Sequence, residues 1–296
     1  MATAFELFQT AILVHDDVFD HSDTRRGMET IHTGYFREFK ENSTLFDEKN
    51  AFDTSCSIAI CLGDMSFYLV EELMLESYSQ NPACYKLLSY FHKAVINTIK
   101  GEILDIYLPY TERYGNKIEI EKEYQNVSLK DLIYDIYHMK TSFYTVIGPL
   151  CSGLILGGAS DDLLKRMESI ADDLGLAFQM QDDILGIYGD RKKLGKNIGS
   201  DISEYKQTLL FSYIKEQGGI AYEKLNKYYG KENITESELT EVQKIFRDHG
   251  ALEYVEKNIS RLFKEANDKL RAIKEISEEK KQLLYGFIDY LLAREG

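Results

Sequence analysis

Two acidic clusters, far apart in the sequence, contain the residues best suited to chemistry. The first lies in VHDDVFDHSDTRRG, residues 14–27, and includes Asp16, Asp17, Asp20, Arg25 and Arg26. If the preceding apolar run is helical, Asp16 and Asp20 lie about one turn, or about 5.4 Å, apart on one face. Carboxylates at that spacing repel one another unless a cation lies between them, and hard oxygen ligands suit Mg²⁺. Because the helix dipole disfavours acids at a C-terminal end, the pattern predicts a metal site rather than a solvated helix end.

The second cluster is FQMQDDILGIYGDRKKLGKNIGSD, residues 178–201, in which Asp182 and Asp183 close another apolar segment. Lys196 lies in the glycine-containing stretch that follows, and Lys206 lies shortly after that stretch. Alone, this pattern fits a helix end with a polar loop as well as a functional site. Two apolar helices that each end in Asp-Asp and precede basic residues predict a metal clamp with cations placed to grip phosphate oxygens.

The elements that must position these clusters are predicted to be helices. Helical periodicity dominates, with predicted helices over 3–20, 51–78 and 84–108 and two amphipathic helices over 250–293. Further helix starts are indicated by Ser128, Ser160 and Thr235, each of which can cap a helix. Residues 21–50 are polar and irregular, which predicts a loop with a short helical piece. Since no linker rich in Pro, Gly or Ser divides the chain, we expect one all-α domain over 1–296, with about ten helices.

Composition excludes several classes of function. The net charge of −14 argues against a nucleic-acid or anionic-membrane surface. Four cysteines without paired spacing indicate reduced thiols in a cytoplasmic protein. The uncharged stretch 141–160 is as long as a membrane span, but its proline and glycines favour a kinked interior helix. We therefore expect no transmembrane segment and no nucleic-acid partner.

Both clusters resemble the two aspartate-rich motifs of the trans-isoprenyl diphosphate synthases, also called polyprenyl synthetases. Three further stretches match that family in order: CLGD at 61–64, GEILD at 101–105 and KTS at 140–142. The resemblance implies a bundle of about ten helices around a central cavity. It also implies a Mg²⁺-dependent prenyltransferase that joins isopentenyl diphosphate head to tail to an allylic diphosphate and releases diphosphate.

The resemblance assigns roles to individual residues. Three Mg²⁺ ions would be bound by Asp16, Asp17, Asp20, Asp182 and Asp183. The allylic diphosphate would be bound by Arg25, Lys140 and Lys196, and isopentenyl diphosphate by Arg26. Lys206 is also expected to bind substrate. The catalytic residues would be Lys140, Thr141 and Gln179. Of these, Thr141 and Gln179 would lie beside the developing allylic cation. The released diphosphate would take the proton, so no side-chain base is expected, and His15 and His32 are interpreted as structural.

This sequence departs from the family pattern at several points. Gly186 stands where the second motif usually has its third aspartate, and Glu102 stands where glutamine is common. The chain begins fifteen residues before Asp16, whereas family members have a basic GKR-type segment further upstream. On this pattern Arg26, with Arg294, would be the remaining cation for isopentenyl diphosphate, and we expect impaired condensation.

Residues upstream of the first motif predict product length. In this family the growing chain runs beside that helix, and short-product members carry an aromatic residue four or five positions before the first aspartate. Here those positions are Ile12 and Ala11, and the next bulky side chain is Phe8, about 4.5 Å deeper at 1.5 Å per residue. We therefore expect products of C20 or longer, although Phe8 is equally consistent with a core aromatic.

Two alternatives remain open at the level of sequence. A class I terpene cyclase shares the fold and a DDxxD motif, but its second motif differs from QDDILG followed by GKNIGSD. A non-catalytic subunit that modifies another synthase is the other alternative, although the intact first motif opposes it. The family resemblance also implies a homodimer.

Overall fold

The protein is described by a computed structural model that covers residues 1–42, 47–114, 127–189, 198–231 and 233–293. Over these residues the secondary structure is almost entirely helical, so the all-α prediction is confirmed. The chain forms two compact units, of which the first comprises Met1–Ser89 and the second begins at Tyr90. The expectation of one domain over 1–296 stays a prediction.

The first unit is built on two long helices and a short one. Its elements are α1 Ala2–Phe19, β1 Thr24–Arg25, β2 Met28–Glu29, α2 Ile31–Asn42 and α3 Glu48–Tyr78. Both α1 and α2 pack on α3, and the side chain of Asp47 caps the start of α3. The buried face of α1 contributes Phe5, Phe8 and Ala11 to this core. The next helix, α4 Cys84–Tyr114, begins here and continues into the second unit.

A small hairpin follows α1, where the sequence predicted only an irregular loop. Strand β1 pairs antiparallel with β2, with Thr24 opposite Glu29 and Arg25 opposite Met28. The two turn residues, Arg26 and Gly27, have φ of 54° and 77°. Two consecutive positive φ values produce the tight turn that matches the twist of paired strands. The 12 residues of α2 likewise exceed the short helical piece that was expected.

The second unit contains the remaining helices. They are α5 Leu129–Ile136, a π-helical segment Tyr137–Ile147, α6 Gly148–Leu156, α7 Asp161–Tyr188, α8 Ser200–Ser203, α9 Leu209–Gln217, α10 Gly219–Asn226, α11 Glu236–Asp248, α12 Ala251–Ala272 and α13 Glu278–Leu292. The three predicted caps are confirmed, because Ser128, Ser160 and Thr235 each accept a backbone N–H at the start of α5, α7 and α11. Helices α12 and α13 confirm the two helices expected in the C-terminal tail.

Helix α7 organises the second unit. It packs against α12 on one side and against the π-helical segment on another. The π-helical contact is close, since a Cβ at Gly175 would collide with the buried side chain of Ser142. Buried Asp173 forms an ion pair with Lys269 of α12 at 2.5 Å. None of the described helices is long and apolar enough to cross a membrane.

Candidate active site

In the first acidic cluster, two aspartates bind the same arginine. The hairpin returns Arg25 to the end of α1, where its Nε donates to Asp17 Oδ1 at 2.7 Å and its Nη2 to Asp16 Oδ2 at 3.1 Å. Asp20 follows the last residue of α1, and its N–H donates to the carbonyl of Asp16 at 2.8 Å. The structure therefore brings together Asp16, Asp17 and Arg25, with Asp20 one turn along.

Burial makes this cluster dependent on a cation. Asp17 is only 6% exposed, and burial raises its pKa above the ordinary 3.8, although the hydrogen bond from Arg25 offsets part of that effect. The guanidinium lies between two carboxylates, where a cation was expected. Among the described residues, no group of three or more His, Cys, Asp or Glu side chains converges on one metal position. Mg²⁺ commonly takes one or two protein carboxylates and completes its shell with water and substrate phosphate, so the hard oxygen donors of Asp16 and Asp20 fit such an ion.

His15 positions this end of α1 against α3. Its Nε2 lies 3.1 Å from Asp64 Oδ1, and its ring stacks on Phe67 at 5.4 Å between centroids. A side chain at Gly63 would overlap the imidazole. The CLGD motif thus provides both the glycine that admits the ring and the carboxylate that orients it. These contacts agree with the interpretation of His15 as structural.

Arg26 and His32 are two further side chains of this unit that the sequence singled out. Arg26 is exposed at the hairpin turn. His32 is 2% exposed, its Nδ1 lies 3.2 Å from Thr30 Oγ1, and burial lowers its pKa below the ordinary 6.5. Its burial and its hydrogen bond agree with the interpretation of His32 as structural.

In the second unit, the predicted lysine of the KTS motif is held by two acids of the GEILD motif. Lys140 Nζ donates to Asp105 Oδ2 at 2.6 Å and forms an ion pair with Glu102 Oε2 at 2.9 Å. A Cβ at Gly101 would collide with the Lys140 backbone, so the glycine permits this close approach of α4 to the π-helical segment. Single π-helical stretches inside helical regions frequently mark functional sites.

A hydrogen-bond chain connects three further predicted residues of this unit, Thr141, Gln179 and Asp183. Thr141 Oγ1 donates to Gln179 Oε1 at 2.5 Å, and Gln179 Nε2 donates to Asp183 Oδ1 at 2.9 Å. The second oxygen of Asp183 accepts from the hydroxyl of Tyr137, which in turn accepts the N–H of Leu209 at 3.2 Å. Asp183 thereby fixes which way the Gln179 amide faces, and the amide oxygen lies beside Thr141.

Asp182 and Asp183 have different surroundings, although they are adjacent in sequence. Asp183 is 5% exposed, and burial followed by the charge of Asp201 raises its pKa well above the ordinary 3.8. Both of its oxygens accept hydrogen bonds from protein donors. Asp182 is half-buried and lies on a different side of α7. Of the two carboxylates, Asp182 is therefore the more exposed.

The remaining predicted residues divide into three groups. Lys206 forms an ion pair with Glu204 at 2.8 Å and lies 3.9 Å from Asp201. Lys196 and Arg294 lie outside the described residues. Of the product-length positions, Phe8 and Ala11 are each 1% exposed, Ile12 is half-buried, and the Phe8 ring lies 5.6 Å from that of Phe67 in α3.

Several residues at these sites were not assigned a role from sequence. Glu102, Asp105 and Tyr137 contact predicted site residues directly. Asp201 packs against α7 at Gly186. The GEILD motif was a signal for the first two, but the aromatic position of Tyr137 carried none.

Comparison with known proteins is consistent across sequence and structure. The polyprenyl synthetase family model matches residues 1–246. The chain is 25% identical to the geranylfarnesyl diphosphate synthase of Aeropyrum pernix, over 99% of this chain and 82% of that protein. It is 27% identical to the geranylgeranyl diphosphate synthase of Methanosarcina mazei, over 99% of this chain and 78% of that protein.

A solved structure gives the same result. A crystal structure of geranylgeranyl pyrophosphate synthase from Corynebacterium glutamicum, complexed with isoprenyl diphosphate and magnesium, aligns with a TM-score of 0.84 at 28% identity. The alignment covers 99% of this chain and 78% of that chain. Since the family model matches most of the sequence and the fold agrees, the chain belongs to the polyprenyl synthetase family of trans-prenyltransferases.

Proposed function

We propose that this chain condenses isopentenyl diphosphate with an allylic diphosphate, head to tail, to give a trans-polyprenyl diphosphate of C20 or longer and diphosphate. The observation that carries the proposal is the Thr141–Gln179–Asp183 hydrogen-bond chain, which lies next to Lys140 at the family's motif positions. The geranylgeranyl and geranylfarnesyl synthases among its relatives support the product length.

Binding of the allylic diphosphate is assigned to cationic side chains and, through three Mg²⁺ ions, to the aspartates. Bound Mg²⁺ would stabilise the charge of the diphosphate leaving group. Asp16 and Asp20 would hold this metal on the first motif, with Asp17 in support, and Asp182 on the second. Arg25, Lys140 and Lys196 would contact the allylic diphosphate directly, and Arg26 the isopentenyl diphosphate, with Lys206 as a further substrate-binding cation. Guanidinium and ammonium groups form strong charge-assisted hydrogen bonds with phosphate oxygens.

Stabilisation of the allylic cation is assigned to neutral oxygen atoms. The hydroxyl of Thr141 and the amide oxygen of Gln179 present dipoles rather than a full negative charge. Fixed dipoles aimed at developing charge lower the barrier without reorganising during the reaction. A carboxylate in the same place would risk alkylation by the cation. The proton lost after C–C bond formation passes to the released diphosphate, which removes the need for a side-chain base.

Helix α4 supports a homodimer of this enzyme. Exposed apolar side chains recur along one face with spacings of three and four residues, at Ile96, Ile99, Ile103, Ile106 and Tyr110, with exposures of 45% to 60%. This a/d repeat is the pattern by which two helices pack together, and exposed apolar patches of this kind mark interaction sites. We therefore assign this face to a second copy of the chain.

The dimer assignment is tested by charge insertion on that face. We expect Ile103→Glu to shift the protein from dimer to monomer in analytical ultracentrifugation. Leu283→Glu is the matched control, because it places the same charge on an exposed apolar position of α13. A wild-type monomer, or an Ile103→Glu dimer as stable as the control, would contradict the assignment.

We also propose that the enzyme acts in the cytoplasm. Cys56, Cys61, Cys84 and Cys151 are all free thiols, and burial raises the pKa of Cys151 to about 11, which keeps it protonated and unreactive. Free thiols are typical of reducing compartments.

The condensation itself is tested with labelled isopentenyl diphosphate. The chain would be incubated with Mg²⁺ and, in turn, C5, C10, C15 and C20 allylic diphosphates, and products would be separated by chain length after dephosphorylation. We expect incorporation of label that needs both substrates and stops when the metal is chelated. Turnover of an allylic substrate alone to a cyclic hydrocarbon, or no incorporation with any primer, would contradict the proposal.

A further inference from the structure

Tyr137 is a buried side chain whose hydroxyl joins three elements of the second unit. It begins the π-helical segment that also carries Thr141, and it is 5% exposed. Its hydroxyl contacts the Asp183 carboxylate of α7 and the backbone N–H of Leu209, the first residue of α9. A buried hydroxyl is costly to leave without hydrogen bonds, so these two contacts determine where it points.

The chemistry of the groups fixes the direction of both hydrogen bonds. A backbone N–H can only donate, so Leu209 donates to the Tyr137 oxygen at 3.2 Å. The phenolic hydroxyl carries one hydrogen, which it donates to Asp183 Oδ2. The start of α9 therefore orients the hydroxyl, and the hydroxyl meets one oxygen of the carboxylate as a donor.

The other oxygen of Asp183 sets the direction of the hydrogen bonds that reach Thr141. Asp183 Oδ1 accepts from Gln179 Nε2 at 2.9 Å, which turns the amide oxygen of Gln179 away from the carboxylate. That amide oxygen accepts the hydroxyl hydrogen of Thr141 at 2.5 Å. Because a threonine hydroxyl has only one hydrogen, Thr141 can then offer only oxygen lone pairs to a cation.

Together these residues form a network between two helices. Tyr137 and Thr141 are four residues apart in one segment, and Gln179 and Asp183 are four residues apart in α7. Tyr137 bonds Asp183, Thr141 bonds Gln179, and the two α7 side chains bond each other. Without the Tyr137 hydroxyl, Asp183 would lose this donor, and its carboxylate would be free to rotate and release the Gln179 amide.

We propose that Tyr137 is a positioning residue for the condensation, which acts through Asp183 to hold the amide oxygen of Gln179 toward Thr141. This inference rests on the proposed function, because the orientation keeps oxygen lone pairs rather than hydrogens beside the allylic cation. Fixed dipoles stabilise developing charge only while their orientation is maintained. Tyr137 acts from behind the site and needs no contact with substrate.

The first experiment separates turnover from binding in Tyr137→Phe, which removes only the hydroxyl. We expect the turnover number to fall by at least about fivefold while the KM for the allylic diphosphate stays within about twofold of wild type, since the cation forms after binding. Tyr188→Phe is the matched control, because it removes a hydroxyl that bonds α7 to the Gln243 carbonyl outside this network. Equal turnover numbers for the two variants would overturn the proposal.

A double-variant cycle distinguishes positioning from general destabilisation. In a Gln179→Leu background the Tyr137 hydroxyl has no amide to orient. We therefore expect Tyr137→Phe to change the residual turnover number of that background by less than about twofold. The same fold-loss in both backgrounds would overturn the proposal, because Tyr137 would then act elsewhere in the fold.

The third experiment observes the Gln179 amide by NMR without substrate or metal. In protein labelled with side-chain ¹⁵N-glutamine, its resonances are identified by their absence in Gln179→Leu. We expect Tyr137→Phe to shift them and Tyr188→Phe to leave them in place, because only Tyr137 bonds Asp183. Unchanged Gln179 resonances in Tyr137→Phe would overturn the proposal.

A second variant covers the case in which Tyr137→Phe does not fold. Replacing Tyr137 alone with 3-fluorotyrosine keeps the hydroxyl and makes it a stronger donor to Asp183, so the Gln179 resonances should shift here as well. No shift in this folded variant would overturn the proposal. If wild type incorporates no label with any primer, the proposed function fails, while the resonances still decide whether Tyr137 positions the amide.

Discussion

Glu102 Oε2 lies 2.9 Å from the ammonium of Lys140, which Asp105 Oδ2 also contacts at 2.6 Å. Two carboxylates thus hold one lysine, and the side chains are only 15% to 21% exposed. An ammonium has three N–H donors, so two carboxylate partners leave at most one donor for the diphosphate that we propose Lys140 binds. The glutamine that is common in the family at position 102 would compete less for the ammonium.

We therefore expect Glu102→Gln to lower the KM for the allylic diphosphate by about threefold to tenfold, because roughly 1 kcal/mol of a competing ion pair is removed. The turnover number should change less than KM. Steady-state kinetics with the allylic substrate varied would measure both. Asp105→Asn is the comparison, since it removes the shorter contact. A higher KM in Glu102→Gln would show that Glu102 assists binding instead.

The two aspartates of the second motif should respond differently to the same substitution. Asp182 is half-buried, whereas Asp183 accepts hydrogen bonds from Tyr137 and Gln179. We expect Asp182→Asn to raise the Mg²⁺ concentration needed for half-maximal rate by about tenfold or more. Asp183→Asn should leave that concentration nearly unchanged and lower the turnover number by about tenfold to a hundredfold, because Gln179 loses its fixed orientation. Rates measured across a Mg²⁺ titration separate the two effects, and equal shifts in Mg²⁺ requirement would contradict this division.

Local signals in the sequence were sufficient to predict where the capped helices begin. Ser128, Ser160 and Thr235 cap helices where predicted because a side-chain cap depends only on the next three residues. The hairpin after α1 was missed, since strands of two residues carry no alternation. Its signal was the Arg26-Gly27 turn, which needs positive φ at both residues.

Contacts between residues that are far apart in the sequence could not be predicted from local sequence patterns. The sequence located Lys140 and Asp183 but did not show that Glu102 and Asp105 pair with the former or that Tyr137 bonds the latter. The missing aspartate at Gly186 was visible as a gap in a motif. That the Asp201 carboxylate lies against Gly186 depends on how α8 packs against α7, which is a property of the folded chain.

Product length should depend on Phe8 if it limits the growing chain. The ring is 1% exposed and packs beside Phe67. Phe8→Ala risks a loss of about 3–5 kcal/mol of folding free energy, so Phe8→Leu is the milder test. We expect both variants to shift the product distribution toward chains longer by one isoprene unit, as measured by chromatography of the dephosphorylated products.

Leu7→Ala serves as the control for that experiment, because Leu7 is the neighbouring residue of α1 and is 44% exposed. Its product distribution should match that of wild type. If the Phe8 variants fold and turn over but make the same products, Phe8 is a core aromatic and the chain is limited elsewhere.

His138 gives the protein a pH-dependent contribution to stability. Its Nδ1 lies 2.6 Å from Asp172 Oδ1, and that hydrogen bond raises the histidine pKa above the ordinary 6.5 against the opposing effect of burial, with further support from the charges of Asp172, Asp135 and Glu168. Because its pKa is raised in the folded state, His138 stabilises the protein fully below pH 6.5, and this contribution is lost as pH rises through the folded-state pKa.

We expect His138→Gln to cost more stability at about pH 6 than at about pH 9, by less than about 1 kcal/mol because the pair is partly exposed. Denaturant unfolding of wild type, His138→Gln and Asp172→Asn at both pH values would measure the difference, and both variants should lose it. A His138→Gln penalty that is constant between the two pH values would mean that the imidazole contributes only packing against Phe143.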